Sequence, residues 1–369
     1  MIFDTKYILQ ILLAVVVGVV VSFATTPLVK TLAYKVGAID VPRDSRRMHD
    51  HPIPRMGGLA IFIAFLFAVL IFAKIDRQLQ SILLGATMIV VLGVLDDIMT
   101  LKALPKFVVQ IAAALIVVLY GGCRIQHITN PFFFSGSTYL TLPNWLSISA
   151  TVIWIVAITN AVNFIDGLDG LAVGVSAISA ATMLVIALIV AEVANDGNVA
   201  IVMAALLGAC LGFIPYNFNP AKIFMGDAGS TFLGFVLASV SVQGLFKYYM
   251  LVSFAVPFLL LGLPIFDICF AILRRLAHGQ NPMVADRGHI HHRLIDMGFS
   301  QKQTVAIAYM LTALLGLAAV VLTSSGEMRA LILLGAFFVV GAIGTRLIFG
   351  HKPEHSGKNE EKEENHEEA

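Results

Sequence analysis

Long apolar stretches, separated by short polar segments, recur along almost the whole chain. Eleven of them can be distinguished, at about 7–29, 57–73, 80–95, 107–120, 145–162, 170–191, 199–215, 230–246, 250–272, 303–323 and 329–349. A helix needs roughly 20 apolar residues to cross a bilayer. These stretches also lack the polar face of a helix on a soluble protein. The pattern therefore predicts an all-α polytopic membrane protein with about 11 transmembrane helices.

The chain consists of one hydrophobic body and a polar tail. Of its 369 residues, 58% are hydrophobic and only 13% are charged. Residues 1–350 contain every apolar stretch, so we expect a single transmembrane domain there. Residues 351–369, "HKPEHSGKNEEKEENHEEA", have no apolar face. This composition is typical of a disordered segment without a catalytic role.

The net charge of +1 excludes little, but the basic residues are unevenly placed. Eighteen of the 24 Lys and Arg residues lie in loops that follow odd-numbered stretches, or near the end of the chain. An excess of basic residues marks the cytoplasmic side of short loops. We therefore expect a plasma-membrane protein whose amino terminus is outside and whose carboxyl terminus is cytoplasmic.

Four polar motifs follow odd-numbered stretches and should face the same compartment. They are "GVLDDIMTLKALPK" (93–106), "NFIDGLDG" (163–170), "NFNPAKIFMGDAGS" (217–230) and "NPMVADRGHIHHRLIDMG" (281–298). An ionised acid at bilayer depth costs about 2.5–3.5 kcal/mol on insertion scales and less toward the interface. Their common side predicts one active site at the cytoplasmic membrane surface.

The first motif pairs two acids with two later lysines. A single acid at a helix end is most simply a solvated terminus. Asp96 and Asp97 are adjacent and repel each other, however, and Lys102 and Lys106 follow closely. This arrangement suits a divalent cation and a phosphate better than a plain helix end.

The second motif places polar residues at intervals of three. Each step of three drifts by about 60° on an ideal helix, so Asn163, Asp166 and Asp169 cannot all share one helical face. Gly167 and Gly170 predict that the helix ends here and that the backbone turns. Asn163 and Asp166 then remain neighbours, while Asp169 is reached through the turn.

The last two motifs leave alternatives open. Asp227 in "FMGDAGS" is either an N-cap or a metal ligand beside N–H groups that bind phosphate. His289, His291 and His292 could bind zinc. The acids elsewhere are oxygen donors that suit magnesium or manganese instead. An arginine near these histidines, Arg287, favours binding of phosphate or a nucleotide.

In this order the motifs resemble those of the polyprenyl-phosphate N-acetylhexosamine-1-phosphate transferases. The resemblance runs from "PRMGG" (54–58) to about residue 349 and includes "LDD", "NFIDGLDGL", "FMGDAGS" and "ADRGHIHHRL". It implies transfer of a sugar 1-phosphate from a UDP-N-acetylhexosamine to undecaprenyl phosphate, with release of UMP and with Mg²⁺ or Mn²⁺ as cofactor. It implies contact with membrane lipids and no nucleic-acid partner, and it leaves a homodimer open.

The resemblance also implies roles for individual residues. It places catalysis at Asp96, Asp97, Asp166, Asp169 and His291. It places substrate binding at Lys102, Lys106, Arg287, His289 and His292. It places the metal at Asp227, with Asn163 near or on it. Asp96 is the candidate base that keeps the acceptor phosphate deprotonated, although a phosphate with a pKa near neutrality does not need a strong base.

Two departures bear on the donor. The branch with a muramoyl-peptide donor typically has a lysine where this chain has Thr100, and three consecutive histidines where Ile290 interrupts. "HIHH" is similar to the branch that uses UDP-N-acetylglucosamine for teichoic-acid, O-antigen or enterobacterial-type glycans. A phospho-MurNAc-pentapeptide transferase remains the alternative. From another class, an ion-coupled transporter predicts acids in the middle of helices, whereas nearly all of these lie at predicted ends.

Overall fold

The computed structural model describes residues 5–42, 51–129, 139–194, 198–245, 255–277 and 289–325. The helices are α1 (Thr5–Val36), α2 (Gly58–Phe72), α3 (Arg77–Met99), α4 (Ala103–Leu115), α5 (Asn144–Phe164), α6 (Leu171–Ala194), α7 (Asn198–Asn217), α8 (Gly226–Val240), α9 (Ala255–Leu260), α10 (Gly262–Ala277), α11 (Ile290–Asp296) and α12 (Gln301–Ser325). Helices α4 and α8 continue into π-helical turns at Ile116–Tyr120 and Ser241–Leu245.

The helices confirm the prediction of an all-α polytopic membrane protein. Seven of those described, α1, α3, the extended α4, α5, α6, α7 and α12, are long and apolar enough to cross a membrane. Backbone groups in lipid must be paired within the chain, and the helices achieve this in the apolar stretches that the structure describes. Ten of the eleven stretches overlap described helices. The eleventh, 329–349, and the tail lie outside the described residues, so the count of eleven stays a prediction.

Helix α8 is buried among the other helices and brings three motifs together. Every residue from Ala228 to Val240 is buried, and α8 packs against α2, α3, α5 and α6. Small residues allow this close packing. A Cβ on Gly93 of α3 would lie 2.3 Å from the Cα of Ala228, and one on Gly234 would lie 2.8 Å from the Cα of Thr159 in α5. The ends of α3 and α5 are therefore fixed against the start of α8.

The described strands form two short antiparallel ribbons. β1 (Ile39–Asp40) pairs with β2 (Ile53–Pro54), and β3 (His127–Thr129) pairs with β4 (Tyr139–Thr141). The backbone after β2 then runs beside the segment that leads into α8. Phe224 donates its N–H to the carbonyl of Pro54 at 2.8 Å and accepts from the N–H of Gly57 at 2.9 Å. The "PRMGG" segment thereby lies against the "FMGDAGS" motif.

We expect Gly93→Ala to lower the unfolding temperature of the purified protein in detergent, because the added methyl group collides with the backbone of α8. Overpacking of this kind costs about 1–3 kcal/mol. Gly244→Ala is the matched control, since a Cβ there would lie 3.1 Å from the side chain of Val199. Equal unfolding temperatures for the two variants in a thermal scan would contradict the close packing of α3 on α8.

Candidate active site

Side chains from four helices meet where α3 and α5 end and where α4 and α8 begin. The ammonium group of Lys106, in α4, lies 2.5 Å from Oδ2 of Asp96 and 2.9 Å from Oδ2 of Asp227. Asn163 donates from its amide to Oδ1 of Asp227 at 3.2 Å and to Oγ of Ser230 at 2.8 Å. Motifs that are more than 100 residues apart in the chain therefore share one polar cluster at one end of the bundle.

Asp97 caps the start of α8 from another helix. It is only 3% exposed. Its Oδ1 accepts from the N–H of Asp227 at 3.0 Å and its Oδ2 from the N–H of Ala228 at 3.2 Å. Such N–H groups have no partner within their own helix. Gly226 has a φ of +72°, and a Cβ there would lie 2.4 Å from the Asp97 carboxylate.

This arrangement rules out one of the alternatives for Asp227, that of an N-cap. Asp227 lies in the first turn of α8, and no side chain from its own segment caps the helix. The N-cap interpretation of Asp227 is therefore wrong, because Asp97 supplies the acceptor. The N–H groups of Asp227 and Ala228, considered above for phosphate binding, bind Asp97 instead. The carboxylate of Asp227 is left to face Lys106 and Asn163.

The "NFIDGLDG" motif forms the predicted turn between two helices. Helix α5 ends at Phe164 and α6 begins at Leu171. Gly170 has a φ of +80°, a conformation that glycine adopts without strain. Asp169 accepts from the amide of Asn219 at 2.9 Å and from the N–H of Ala221 at 3.0 Å, both through Oδ2. Asp169 therefore ties this turn to the loop that leads into α8.

Asp166 is held in the same turn, and its N–H donates to the carbonyl of Asn163 at 3.2 Å. Neighbouring atoms enclose its carboxyl group on most sides, although part of the residue still reaches solvent. This burial raises the pKa of Asp166 well above its usual range, and the charges of Asp227, Asp97 and Asp169 raise it further. A cation beside Asp166 would favour its ionised form.

The histidine motif packs directly on this turn. A Cβ on Gly167 would lie only 2.4 Å from Nε2 of His291. His291 is 5% exposed, and its ring centroid lies 4.3 Å from that of His292. Burial, followed by the charge of His292, lowers the pKa of His291 to about 3. At neutral pH His291 is therefore an uncharged ring packed against the acid-bearing turn.

Asp267 belongs to the site although none of the four motifs contains it. It lies in α10 and is 2% exposed, and its Oδ2 is 2.8 Å from Nδ1 of His289. Its Oδ1 accepts from the N–H of Ile290 at 2.7 Å. Its position in the sequence could have indicated a role, because Asp267 is an acid inside the apolar stretch 250–272 and such acids usually have a function or a partner. Arg55 was also missed, and its Nε lies 3.9 Å from Oδ1 of Asp97.

The structure does not show two of the predicted substrate-binding residues, Lys102 and Arg287, at the polar cluster. Lys102 lies at the exposed start of α4, and it is Lys106, one turn further on, whose ammonium contacts the carboxylates. Arg287 lies outside the described residues. The structure therefore distinguishes between the two lysines that the sequence left equivalent.

The oxygen donors of the cluster suit a magnesium ion. The acids Asp96, Asp97, Asp166 and Asp227 outnumber the cationic side chains that the described residues bring to the cluster, Lys106 and Arg55. Within the described ranges no three acidic, His or Cys side chains already surround one point. The ammonium between two carboxylates and the capping role of Asp97 account for this. Carboxylate and amide oxygens are nevertheless the donors that Mg²⁺ prefers, and the excess negative charge favours a cation.

Comparisons with known proteins show which chains this one is similar to. Residues 79–245 match the model of glycosyl transferase family 4. A probable undecaprenyl-phosphate N-acetylglucosaminyl 1-phosphate transferase of Bacillus subtilis (strain 168) is 40% identical over 320 residues, 86% of each chain. A decaprenyl-phosphate N-acetylglucosaminephosphotransferase of Mycobacterium tuberculosis (strain ATCC 25618 / H37Rv) is 34% identical over 359 residues, 89% of this chain and 87% of the relative. An undecaprenyl-phosphate alpha-N-acetylglucosaminyl 1-phosphate transferase of Escherichia coli O157:H7 is 28% identical over 78% of this chain and 77% of its own.

We expect Asp97→Ala to destabilise the protein by about 1–3 kcal/mol, because it leaves the N–H groups of Asp227 and Ala228, the latter buried, without an acceptor. Asp97→Asn should cost less, since its amide oxygen can still accept from one of them. Asp296→Ala, at an exposed acid in α11, is the control. The order of unfolding temperatures in detergent measures these effects. An Asp97→Ala variant as stable as Asp296→Ala would show that the cap does not hold α8.

Proposed function

The chain belongs to glycosyl transferase family 4, and we propose that it transfers N-acetylglucosamine 1-phosphate from UDP-N-acetylglucosamine to undecaprenyl phosphate. The products are undecaprenyl-diphosphate-N-acetylglucosamine and UMP. The names of the three relatives specify a polyprenyl-phosphate acceptor and an N-acetylglucosamine group, and this chain covers most of each. This reaction is the first membrane step in the synthesis of a cell-wall or surface glycan such as teichoic acid or lipopolysaccharide.

The shared ammonium group of Lys106 is the observation that carries this proposal. It joins an acid from the first motif, Asp96, to an acid from the third, Asp227, at the end of a bundle of apolar helices. A lipid phosphate can reach such a point from the bilayer, while a water-soluble nucleotide reaches it from the aqueous side. A cationic side chain among acids can exchange one negative partner for a phosphate oxygen.

In the proposed reaction an oxygen of the acceptor phosphate forms a bond to the β-phosphorus of the donor. The bond from that phosphorus to the bridging oxygen breaks, and UMP leaves with the electron pair. Phosphoryl transfer depends mainly on positioning and on charge stabilisation. Lys106 is placed to pair with the acceptor phosphate. Asp96, 2.5 Å from the Lys106 ammonium, is placed to take a proton from that phosphate.

We assign the metal to Asp227 and Asn163, whose side chains contact each other and face the cluster. A magnesium ion held by these two residues would neutralise negative charge on the diphosphate. Asp166, close enough for the charge of Asp227 to raise its pKa, lies beside the same polar cluster. Asp97 and Asp169 act through the backbone that they hold, at the start of α8 and in the loop before it.

Two residues favour N-acetylglucosamine over a muramoyl-peptide donor. Thr100 ends α3 with a φ of +52°, and its N–H donates to the carbonyl of Asp96 at 2.8 Å. An uncharged residue that ends a helix therefore stands where the muramoyl branch has a lysine. Ile290 begins α11 with an apolar side chain between His289 and His291. The assay below therefore also includes the alternative donor, UDP-MurNAc-pentapeptide.

Purified protein with radiolabelled UDP-N-acetylglucosamine, undecaprenyl phosphate and Mg²⁺ should yield labelled lipid diphosphate and UMP. EDTA should stop the reaction. Asp227→Asn should abolish turnover without changing expression or the unfolding temperature by more than the Asp296→Asn control. Product formed only from UDP-MurNAc-pentapeptide would reassign the donor, and no product from any UDP-amino sugar would overturn the proposed function.

The two lysines provide a matched pair for the same assay. Lys106→Met should lower kcat/KM by about 100-fold or more, the usual effect of removing one group that stabilises developing charge. Lys102→Met should leave kcat/KM close to the wild-type value, since Lys102 is exposed at the start of α4. Equal losses in the two variants would contradict the assignment of phosphate binding to Lys106.

We also propose that the polar cluster faces the cytoplasm and that the amino terminus lies outside, as the basic residues predict. Native cysteines are first replaced, and one cysteine is then introduced on each side. With a membrane-impermeant maleimide, Lys102→Cys should react only after cells are broken. Gln126→Cys, exposed at the other end of the extended α4, should react in intact cells. The reverse pattern would contradict the proposed orientation.

A further inference from the structure

Asp267 is a buried charge that the proposed transfer does not use. It lies within the apolar helix α10 and is 2% exposed. Burying a carboxylate is costly unless it is paired and hydrogen-bonded. Here one oxygen lies 2.8 Å from Nδ1 of His289, and the other accepts from the N–H of Ile290 at 2.7 Å. Both partners belong to the start of α11.

These two contacts fix the ring and the backbone of His289 together. An ionised carboxylate can only accept hydrogen bonds, so the nitrogen that faces it, Nδ1, carries the proton. The other ring nitrogen, Nε2, is then directed away from Asp267. The second oxygen fixes the carboxylate to the backbone of the next residue, and rotation of the His289 ring would break its Nδ1 contact to the first oxygen. A histidine that must present one nitrogen is commonly oriented in this way.

The fixed ring lies at the edge of the acid-bearing turn. Its centroid is 5.8 Å from that of Phe164, the last residue of α5, at an interplanar angle of 29°. It is also 5.8 Å from the ring of His291, at 8°, and His291 packs on Gly167. Phe164 is 46% exposed, which leaves part of an aromatic surface open beside His289. An open aromatic ring next to a hydrogen-bonding nitrogen suits a nucleoside better than a lipid phosphate.

We propose that Asp267 is a positioning residue for the nucleotide donor: it orients His289 so that Nε2 meets the uridine diphosphate portion. The inference rests on the proposed function, since it assigns a binding role within that reaction. Asp267 itself does not touch the substrate. Its effect on the donor passes entirely through the ring of His289.

The first test compares Asp267→Asn with the wild type. Asparagine keeps the size of the side chain and can still accept from the N–H of Ile290, but its amide NH₂ cannot accept from Nδ1–H of His289. The KM for UDP-N-acetylglucosamine should rise about tenfold or more, as for other carboxylates behind a functional histidine. The KM for undecaprenyl phosphate should stay unchanged. Equal changes in both KM values would indicate a general structural defect and overturn the inference.

A double-mutant cycle then tests whether Asp267 acts through His289. In a His289→Ala background, Asp267→Asn should have no further effect on the donor KM. Independent sites would instead show additive effects, and additivity would overturn the inference. Asp296→Asn, at an exposed acid of α11, is the control and should change neither KM.

A spectroscopic readout separates this inference from the proposed function. In histidine-labelled protein, ¹⁵N NMR at a pH where the ring is neutral distinguishes the two tautomers. Wild-type His289 should carry its proton on Nδ1, and Asp267→Asn should shift the population toward Nε2–H. An Nε2–H tautomer in the wild type would overturn the inference even if the enzyme is active and even if the variant does not fold. A wild type with the expected tautomer but no transferase activity would overturn the proposed function alone.

Discussion

The site depends on the need to pair every charge that lies at the end of an apolar helix. The ammonium of Lys106 between Asp96 and Asp227 joins α3, α4 and α8 at one point. A charge that lost its partner there would be exposed to a poorly solvating environment. The close backbone packing of α3 on α8, seen at Gly93, sets the distance over which these charges meet. The same few residues therefore determine both how the helices pack and how the charges of the site are paired.

The sequence predicts most of the helices because the bilayer leaves few alternatives. An apolar stretch must be helical to pair its backbone, and glycines such as Gly170 show where a helix gives way to a turn. Partners that depend on long-range packing could not be predicted. Asp97 lies 130 residues before the N–H of Asp227 that it accepts from. No local pattern distinguishes its capping role from the contact that Asp96 makes with Lys106.

The carboxylates of the site differ in how far backbone N–H groups and how far a charged side chain hold them. Asp97 and Asp169 accept from backbone N–H groups and so hold the two ends of the segment that leads into α8. Asp96 also accepts from a backbone N–H, that of Leu101 at 2.6 Å, but its other oxygen and the carboxylate of Asp227 face the ammonium at the end of the long Lys106 side chain. Rigid contacts to backbone preserve geometry, whereas a contact to an ammonium can be exchanged for a substrate oxygen. The same residue type therefore builds the scaffold and leaves groups available for chemistry.

The position of the acids also bears on the alternative of a transporter. An ion path requires acids distributed along the membrane interior. In the described part of the chain, Asp96, Asp227 and Asp166 gather at one end of the bundle. Asp267 lies within an apolar stretch, but its two oxygens bind the histidine motif of that same end. Even the acid whose position would best suit a transporter is thus joined to the cluster, which favours chemistry at the membrane surface over passage through it.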